Sequence, residues 1–419
     1  MLQIGKYSMG IGDRFGRQGT AQLRALAAAR ERGVDVVPVW NKSRREHALV
    51  GSSPSDVRRE ADSAAAALGW DAPYHVDADH VGFHDVDAFL DTHDFFTLDV
   101  AESLGEDDSP DATRDFVRRH TELAGPIRIP GFDEPIRLSR DRLADVARTY
   151  HPAVREAGRI YRRIAEKKGE GRFITEISMD EVEVPQSPDD LLVILAAVAD
   201  EGIPLQTFAP RFAGRFAKGV DYRGDAAELE RTLDRFLCVM RFAAQDLGLP
   251  RGLKLSLHSG SDKFSLYGPI RRALRRHDAG LHLKTAGTTW LEELIGLAEG
   301  GDDGLAIAKE VYAQAVERAD ELCGPYASVI DLDRARLPSP ERVAAWDGEA
   351  FAAALRHDPT CSRYDPNLRQ LLHVAYKVAA EMGARFLDAL DRHAATISRN
   401  VTSNLFDRHV ARLFLDEAP

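Results

Sequence analysis

Cysteine is scarce in this sequence, and its distribution excludes two kinds of sulfur-based site. The 419 residues include three cysteines, Cys238, Cys323 and Cys361, which lie far apart and form no CxxC pair. Disulfide frameworks and structural zinc sites need paired or closely spaced cysteines. The sequence therefore predicts neither, and it fits a reducing compartment such as the cytoplasm.

Long apolar runs and a surplus of basic residues are also absent. The longest apolar run, 191–199, is far shorter than the roughly 20 residues of a membrane helix, and the first residues, MLQIGKYSMGIGDR, lack the apolar stretch of a signal peptide. The 55 Lys and Arg face 67 Asp and Glu, which gives a formal charge of −12. Nucleic-acid binding calls for a clustered basic surface. We expect neither a membrane nor a nucleic acid as partner.

Several familiar active-site motifs are missing as well. The run GIGDRFGRQG at 10–19 spaces its first glycines as GxGxxxG, not GxGxxG, and no convincing strand precedes it, so we do not predict a dinucleotide site there. The GxSxG turn of serine hydrolases and the P-loop lysine pattern are absent. Redox chemistry with a bound dinucleotide and acyl transfer to serine are therefore not indicated.

What is present is an alternation of short β-type runs with longer helical patterns. Such alternation is typical of parallel βα units, and eight units predict a TIM-like (β/α)8 barrel, with a doubly wound open sheet as the alternative. The predicted strands are 34–40, 74–76, 95–99, 173–178, 203–208, 253–258, 281–285 and 328–332. The clearest crossover helices are 20–32, 56–68, 189–200, 226–247 and 289–298.

Two stretches fall outside a minimal barrel. Residues 101–150 contain an acidic, proline-bearing run and the segment GPIRIPGFDEPIRL, which we interpret as an insertion near the open end of the barrel. Residues 335–419 are mainly helical in pattern, with 366–387 and 404–415 the most regular parts. We predict one α/β-barrel domain over 1–419, with this insertion and a helical C-terminal extension.

Functional groups of parallel α/β proteins gather where strands end, because the following loops converge over the carboxyl edge of the sheet. In LSLHSGSDKF the alternation of leucines brings His258 to the strand exit, and Ser259 and its neighbours can offer backbone N–H groups to an anion. In GLHLKTAG, His282 and Lys284 lie two residues apart and share one strand face.

Two histidines from neighbouring strands and a carboxylate from a third commonly hold a divalent cation and leave positions open for substrate oxygens. We favour Glu176 as the carboxylate, because an otherwise apolar strand has no other reason to carry it. Asp77, Asp79 and His80 in DADH are competitors. A single histidine at a strand end is more often a hydrogen-bonded structural residue than a ligand.

Five motifs together resemble the tagaturonate epimerase family. They are KYSMGIGDRFGRQG (6–19), VDADH (76–80), HSGSDKFSLY (258–267), HLKTAGTTWLEEL (282–294) and NLFDRHVARLF (404–414). The resemblance implies a barrel, a divalent metal and the interconversion of tagaturonate and fructuronate in hexuronate breakdown; relatives act on tagatose and fructose. Zinc, manganese, nickel and iron all remain candidates for the metal.

The implied reaction inverts a carbinol carbon that lies β to the ketone, so its C–H is not acidified and simple deprotonation is unattractive. Retro-aldol cleavage, rotation of the aldehyde fragment and re-addition would invert it, with a metal stabilising the enolate and a carboxylate acting as base. We predict Glu176, His258 and His282 as metal ligands. The predicted catalytic residues are Asp79 or Asp262 as the acid/base and Lys263, with Lys263 or Lys284 near the substrate anion. The predicted substrate-binding residues are Arg14, Gln206, Ser259, Lys284 and Thr285.

Two other functions use the same groups. One is a metal-dependent epimerase, isomerase or aldolase that acts on a neutral sugar; the other is a barrel that binds a sugar acid without converting it. The expected partner is in each case a small sugar acid or ketose, and the sequence leaves open whether the chain forms a homo-oligomer.

Overall fold

A closed barrel of parallel strands forms the centre of the computed structural model, which describes residues 1–105, 110–180, 182, 184–258, 262–285 and 288–415. Within those ranges, eight strands follow one another around the barrel in the order β1, β10, β9, β8, β7, β4, β3, β2. A separate antiparallel pair consists of β5 and β6. The strands are β1 (Tyr7–Ile11), β2 (Val36–Ser43), β3 (His75–Val81), β4 (Phe95–Asp99), β5 (Gly125–Ile127), β6 (Ile136–Leu138), β7 (Ile174–Met179), β8 (Thr207–Pro210), β9 (Lys254–His258) and β10 (Leu281–Lys284).

Helices cover the outside of the barrel and make up most of the C-terminal third. They are α1 (Gly19–Glu31), α2 (Arg44–Val50), α3 (Pro54–Leu68), α4 (Pro110–Arg119), α5 (Arg140–Lys168), α6 (Pro188–Asp200), α7 (Ala226–Asp246), α8 (Phe264–His277), α9 (Thr289–Gly300), α10 (Asp302–Glu317), α11 (Ala319–Cys323), α12 (Pro340–Ala344), α13 (Gly348–Leu355), α14 (Pro366–Val374), α15 (Tyr376–Glu381), α16 (Ala384–Arg392) and α17 (Ala394–Ser403). A π-helical segment, Asn404–Leu415, follows α17.

Among the helices of these ranges, none combines the length and the apolar character that a bilayer-spanning segment requires. Serine caps fix where several helices begin. Ser43 accepts a hydrogen bond from the backbone N–H of Glu46, whose carboxylate accepts one from Ser43 in return. This reciprocal cap starts α2 immediately after β2, at the mouth of the barrel.

The predicted barrel is confirmed, and seven of the eight predicted strands overlap observed ones. The eighth prediction is wrong, because 328–332 covers the end of a 3-10 turn, Gly324–Val329, and irregular chain. The strand that closes the barrel is β1, which leads into the run 10–19, where no convincing preceding strand was expected. Its sequence, YSMGI, has Ser8 and Gly10 where a β-branched pattern would have revealed a strand.

The barrel interior changes from apolar to polar along its axis. Ile4, Val39, Phe95 and Ile174 form a separate apolar cluster toward the amino ends of the strands. The ammonium of Lys254 donates to the backbone carbonyl groups of Ile4, Gly5 and Lys6, which closes this end of the barrel. Nearer the carboxyl ends, the interior positions are ionisable, and the apolar strand residues instead pack outward against the helices.

A second hydrophobic cluster lies among α9 to α17 and is centred on buried aromatic residues such as Trp290, Tyr312, Phe351 and Phe386. The segment predicted to be regular over 366–387 is divided among α14, α15 and α16, and Gly383 takes a φ of 58° just before α16 begins. The region 101–150 contains α4, the β5–β6 pair and the start of the long helix α5. That the whole chain is one domain stays a prediction.

Candidate active site

A cavity of about 770 Å³ opens over the carboxyl ends of the barrel strands. One part of its wall is built from residues at the ends of β2, β3, β4, β9 and β10. Another part comes from the helical region that follows β10 and includes Tyr326, His373 and Tyr376. The cavity is therefore shared between the barrel and the extension.

Three ionisable side chains converge in this cavity. Among the described residues, one ligand atom from each of His80, Asp180 and His258 lies within 4.8 Å of the other two. His258 ends β9, and Asp180 directly follows β7. His80 has a φ of 54°, next to a register shift between β3 and β4, so a local bulge turns its side chain away from the regular strand direction.

The two imidazoles are held in matching ways. His80 Nδ1 lies 3.0 Å from Asp79 Oδ1, and His258 Nε2 lies 2.9 Å from Glu176 Oε1. The other nitrogens, His80 Nε2 and His258 Nδ1, lie 3.6 and 3.3 Å from Asp180 and are buried without a hydrogen-bond partner among the described residues. Metal-binding histidines are commonly oriented by a carboxylate on the far nitrogen. The donor set and its support therefore fit a divalent cation.

The electrostatics of the group match this geometry. Burial opposes protonation of His258, but the carboxylate of Asp180 outweighs it and raises the pKa of His258 to about 8. Burial likewise disfavours the charged form of Asp180, yet His258 and His80 hold its pKa well below the usual value. Each group stabilises the charge of the others, and a cation bound at the two imidazole nitrogens would take the place of their protons.

A charge cluster lies directly beneath this group, inside the barrel. The ammonium of Lys284 lies 2.8 Å from Asp77, 2.8 Å from Asp79 and 3.0 Å from Glu176, and it donates to Thr97 Oγ1 at 2.5 Å. Burial would lower the pKa of Lys284, but the three carboxylates raise it well above the usual value. Burial raises the pKa of Asp77 to about 6. Glu176 and Asp79 therefore connect Lys284 to both imidazoles.

The structure brings four sequence-predicted residues into one connected cluster: His258, Glu176, Asp79 and Lys284. His282 lies one layer deeper, since Lys284 pairs with His258 across the strands and His282 pairs with Ser256. Its Nδ1 lies 2.9 Å from Ser8 Oγ, and burial lowers its pKa to about 3. It is not one of the three converging residues, and its role as a ligand stays a prediction.

Asp262 and Lys263 lie behind the cavity wall and are almost fully buried. Asp262 accepts from Arg369 at 2.7 Å and contacts His357 and His409 on the C-terminal segments. The ammonium of Lys263 donates to two backbone carbonyl groups, at 3.0 and 2.8 Å. The contacts of Asp262 join the loop after β9 to the extension, and those of Lys263 join it to the loop after β8. Neither set supports the predicted catalytic roles.

The remaining predicted residues are dispersed. Gln206 lies at the opposite, amino end, where its side chain bonds to the backbone of Leu2 and Ile4, so its position does not support substrate contact. Arg14 lines the cavity and forms an ion pair with Glu46. Thr285 is buried just after β10. Ser259 lies outside the described residues.

Sequence reasoning did not select Asp180 and treated His80 as a competitor only. Asp180 had a usable signal, because it is the first residue after an apolar strand, which is where ligands of parallel barrels occur. His80 depends on a bulge that no local pattern reveals. Tyr326, His373 and Tyr376 reach the cavity through the packing of distant helices, for which the sequence offered no signal.

A parallel barrel whose ionisable side chains converge at the carboxyl ends of its strands, in a cavity large enough for a sugar, defines an α/β-barrel enzyme. The family model described as UxaE, tagaturonate epimerase, matches residues 1–410. The chain belongs to the tagaturonate epimerase family, as the motifs predicted, and is an isomerase of the carbohydrate epimerase type.

Individual relatives agree with this assignment. The tagaturonate/fructuronate epimerase of Thermotoga maritima is 28% identical over 420 residues, which cover 96% of this chain and 80% of that protein. The crystal structure of fructuronate-tagaturonate epimerase UxaE from Cohnella laeviribosi with two glycerol molecules superposes with a TM-score of 0.81 at 24% identity, over 99% of this chain and 82% of that one. The native crystal structure of that protein gives 0.75 at 25% identity, over 97% and 82%.

Proposed function

We propose that this chain interconverts tagaturonate and fructuronate, with a divalent cation held by His80, Asp180 and His258. One observation carries the proposal: two buried imidazole nitrogens without hydrogen-bond partners in the described chain face the same carboxylate. The substrate follows from the family and from the name of the Thermotoga maritima relative. Glu176 then supports His258 from behind and is not itself a ligand.

A divalent cation at this position would supply Lewis-acid stabilisation of negative charge on the substrate. The mixed nitrogen and oxygen donors suit zinc, manganese, nickel or iron. Three protein ligands leave coordination positions open, as catalytic sites require.

The chain's own residues would manage the protons of a retro-aldol reaction. Asp79 lines the cavity and is held by His80 on one side and Lys284 on the other, which suits it to take the proton from the hydroxyl group on the inverted carbon. The adjacent carbon–carbon bond then breaks, and its electron pair stays with the ketose fragment. The aldehyde group then rotates and presents its opposite face to the carbon that carries the electron pair. The bond forms again, and Asp79 returns the proton.

Lys284 would keep Asp79 ionised between turnovers. Its ammonium is 2.8 Å from Asp79 and holds the pKa of that carboxyl well below the usual value, against the opposing effect of burial. The same ammonium contacts Glu176, which orients His258. One lysine thus links the proposed base to the proposed metal site.

The direct test is to incubate the full chain, loaded in turn with each divalent metal, with tagaturonate in deuterated water and to follow the products by NMR. We expect fructuronate without deuterium on carbon, since a retro-aldol route need not exchange those hydrogens, whereas an enediol isomerisation usually does. Full turnover after exhaustive chelation would contradict the proposed metal requirement. Deuterium at the inverted carbon would contradict the retro-aldol route. No conversion with any metal would favour a barrel that only binds sugar acids.

A further inference from the structure

A second part of the cavity wall, separate in sequence from the proposed metal ligands, carries positive charge and paired tyrosines. The hydroxyl groups of Tyr326 and Tyr376 lie 3.1 Å apart, and both residues are buried. The guanidinium of Arg45 and the ammonium of Lys218 both approach the ring of Tyr326, at 5.0 and 5.3 Å from its centroid. Two cations from different elements, α2 and the loop after β8, therefore meet at one aromatic ring.

Two other arginines that line the cavity already have acidic partners. Arg14 forms an ion pair with Glu46, and Arg44 forms one with Asp85. For Arg45 the described part of the chain supplies no carboxylate partner, and its side chain is exposed at the mouth. Arg45 can therefore turn toward a bound anion without giving up an ion pair.

The position of Lys218 is fixed by the C-terminal region. Its backbone N–H donates to the carbonyl group of Val329 at 2.7 Å. The next residue, Gly219, lies so close to α14 that a Cβ there would come within 3.5 Å of His373 Cβ. The segment around Val329 and helix α14 thus hold Lys218 at the cavity in which the substrate would lie.

His373 gives independent evidence of an anion site. It lines the cavity, is 3% exposed, and its Nδ1 has no hydrogen-bond partner among the described residues. Burial, reinforced by the charges of Lys218 and Arg14, holds the pKa of His373 well below the usual value. The uncharged imidazole of His373 can donate a hydrogen bond from its open nitrogen to a carboxylate oxygen, and the charges of Lys218 and Arg14 also favour an anion there.

We infer that Arg45 and Lys218 bind the carboxylate of the sugar acid at this wall, with His373 as a neutral hydrogen-bonding partner. This inference rests on the proposed function. It places the two ends of the substrate at opposite sides of the cavity, the ketone at His80, Asp180 and His258 and the acid at the cationic wall.

The placement has a consequence for the retro-aldol route. The bond that breaks leaves a three-carbon aldehyde acid, and the carboxylate belongs to this fragment. Inversion needs only the aldehyde group to turn about the bond that joins it to the next carbon, while the carboxylate stays in place. An anchored carboxylate therefore keeps the fragment in the cavity during the turn and favours closure of the bond over release of the fragments.

The test compares Arg45→Gln, Lys218→Gln and the double variant with wild-type enzyme, with Arg44→Gln as the matched control. Arg44 precedes Arg45 and lines the same cavity but is paired with Asp85. We expect kcat/KM for tagaturonate to fall about 10- to 100-fold in each single variant, the scale of a lost charged hydrogen bond. The kcat/KM for tagaturonate divided by the kcat/KM for tagatose should fall as well, because tagatose has no carboxylate for these residues to bind.

A second readout separates anchoring from general damage. Released three-carbon aldehyde acid, trapped with a hydrazine and quantified, should increase relative to epimerised product in the double variant and stay at the wild-type level in Arg44→Gln. Wild-type turnover with unchanged kcat/KM and no release in the variants would overturn the inference alone. A wild-type chain that converts no tagaturonate with any metal would overturn the proposed function, and this inference with it.

Discussion

Asp262 and Arg369 form a fully buried ion pair with an N–O distance of 2.7 Å. The guanidinium of Arg369 also donates to the carbonyl groups of Gly219 and Leu355, each at 2.6 Å. One side chain thus joins the loop after β9, the loop after β8 and the end of α13. The pair stabilises the junction of barrel and extension, on which the cationic cavity wall depends.

Asp262→Asn should destabilise the fold. Removing one charge of a buried pair leaves the other without compensation, which typically costs about 3–5 kcal/mol of unfolding free energy. Urea denaturation followed by circular dichroism measures the loss. Asp278→Asn removes the partner of the exposed Lys6 and serves as the control, with no measurable change expected. An unaltered midpoint for Asp262→Asn would show that the pair does not hold the junction.

Metal content distinguishes the ligand set proposed from the structure from the one predicted from the sequence. His80→Ala should lose bound metal and turnover, whereas His282→Ala should retain metal, because its ring contacts Ser8 and Phe95 one layer deeper. Elemental analysis of the purified proteins measures both. His84→Ala, four residues from His80 and exposed, is the control. Metal lost from His282→Ala and kept by His80→Ala would favour the sequence prediction.

Glu176→Gln should weaken metal binding without abolishing it. Partners that orient a metal-binding histidine typically contribute 10- to 100-fold in affinity, and Glu176 lies 2.9 Å from His258 Nε2. Competition with a chelator of known affinity measures the change. Asp99→Asn alters another carboxylate of the same cavity and should bind metal as the wild type does. Complete loss of metal would instead indicate that Glu176 is itself a ligand.

Gly10→Ala should impair catalysis through Lys284. The two residues are paired in register between β1 and β10, and a Cβ at Gly10 would lie 2.9 Å from Lys284 Cγ and 3.2 Å from its Cα. The displaced ammonium would lose contact with its carboxylates, so we expect kcat to fall at least tenfold and stability to fall by about 1–3 kcal/mol, as in overpacked cores. Gly252→Ala, where a Cβ meets nothing within 4 Å, should behave as the wild type in steady-state assays.

Glu292→Gln should stabilise the protein in a pH-dependent way. Burial raises the pKa of Glu292 from 4.5 to about 7, so the folded chain holds a proton that the unfolded chain releases. The free energy of unfolding of the wild type is therefore highest below about pH 4.5 and falls as the pH rises through 7. The total loss is about 3 kcal/mol. Glutamine keeps the acceptor for Asn404 and carries no charge.

Thermal unfolding at pH 5 and pH 8 checks this sign. The variant should exceed the wild type clearly at pH 8 and only slightly at pH 5. The exposed Glu349→Gln controls for the change of net charge and should follow the wild-type profile at both values. A gain of the same size at both pH values would show that Glu292 does not titrate as described.

The sequence was sufficient for the barrel because each crossover repeats the same local pattern. Seven strands could be located from β-branched and aromatic runs. The exception, β1, interrupts its larger residues with Ser8 and Gly10, and the close packing of Lys284 requires the glycine. The segment 328–332 has the composition of a strand, but Val329, Ile330 and Leu332 pack against the helical extension. Composition alone cannot tell these two environments apart.

The site was predictable only in part, for a related reason. His258, Glu176, Asp79 and Lys284 alternate along regular strands, so period-two reasoning brings them to the barrel interior. His80 and Asp180 do not follow the strand alternation, because His80 lies at a bulge and Asp180 lies just beyond the end of β7. The depth of His282 depends on the stagger between strands, which no single strand encodes.

The three converging residues are supplied by β3, by the end of β7 and by β9, at positions 80, 180 and 258 of the chain. No fragment that ends before position 258 contains all three. A growing polypeptide therefore cannot bind the proposed cation through this set until most of the barrel has been synthesised. The proposed ligand set thus differs from those of small metal-dependent domains, whose ligands lie close together in one short segment.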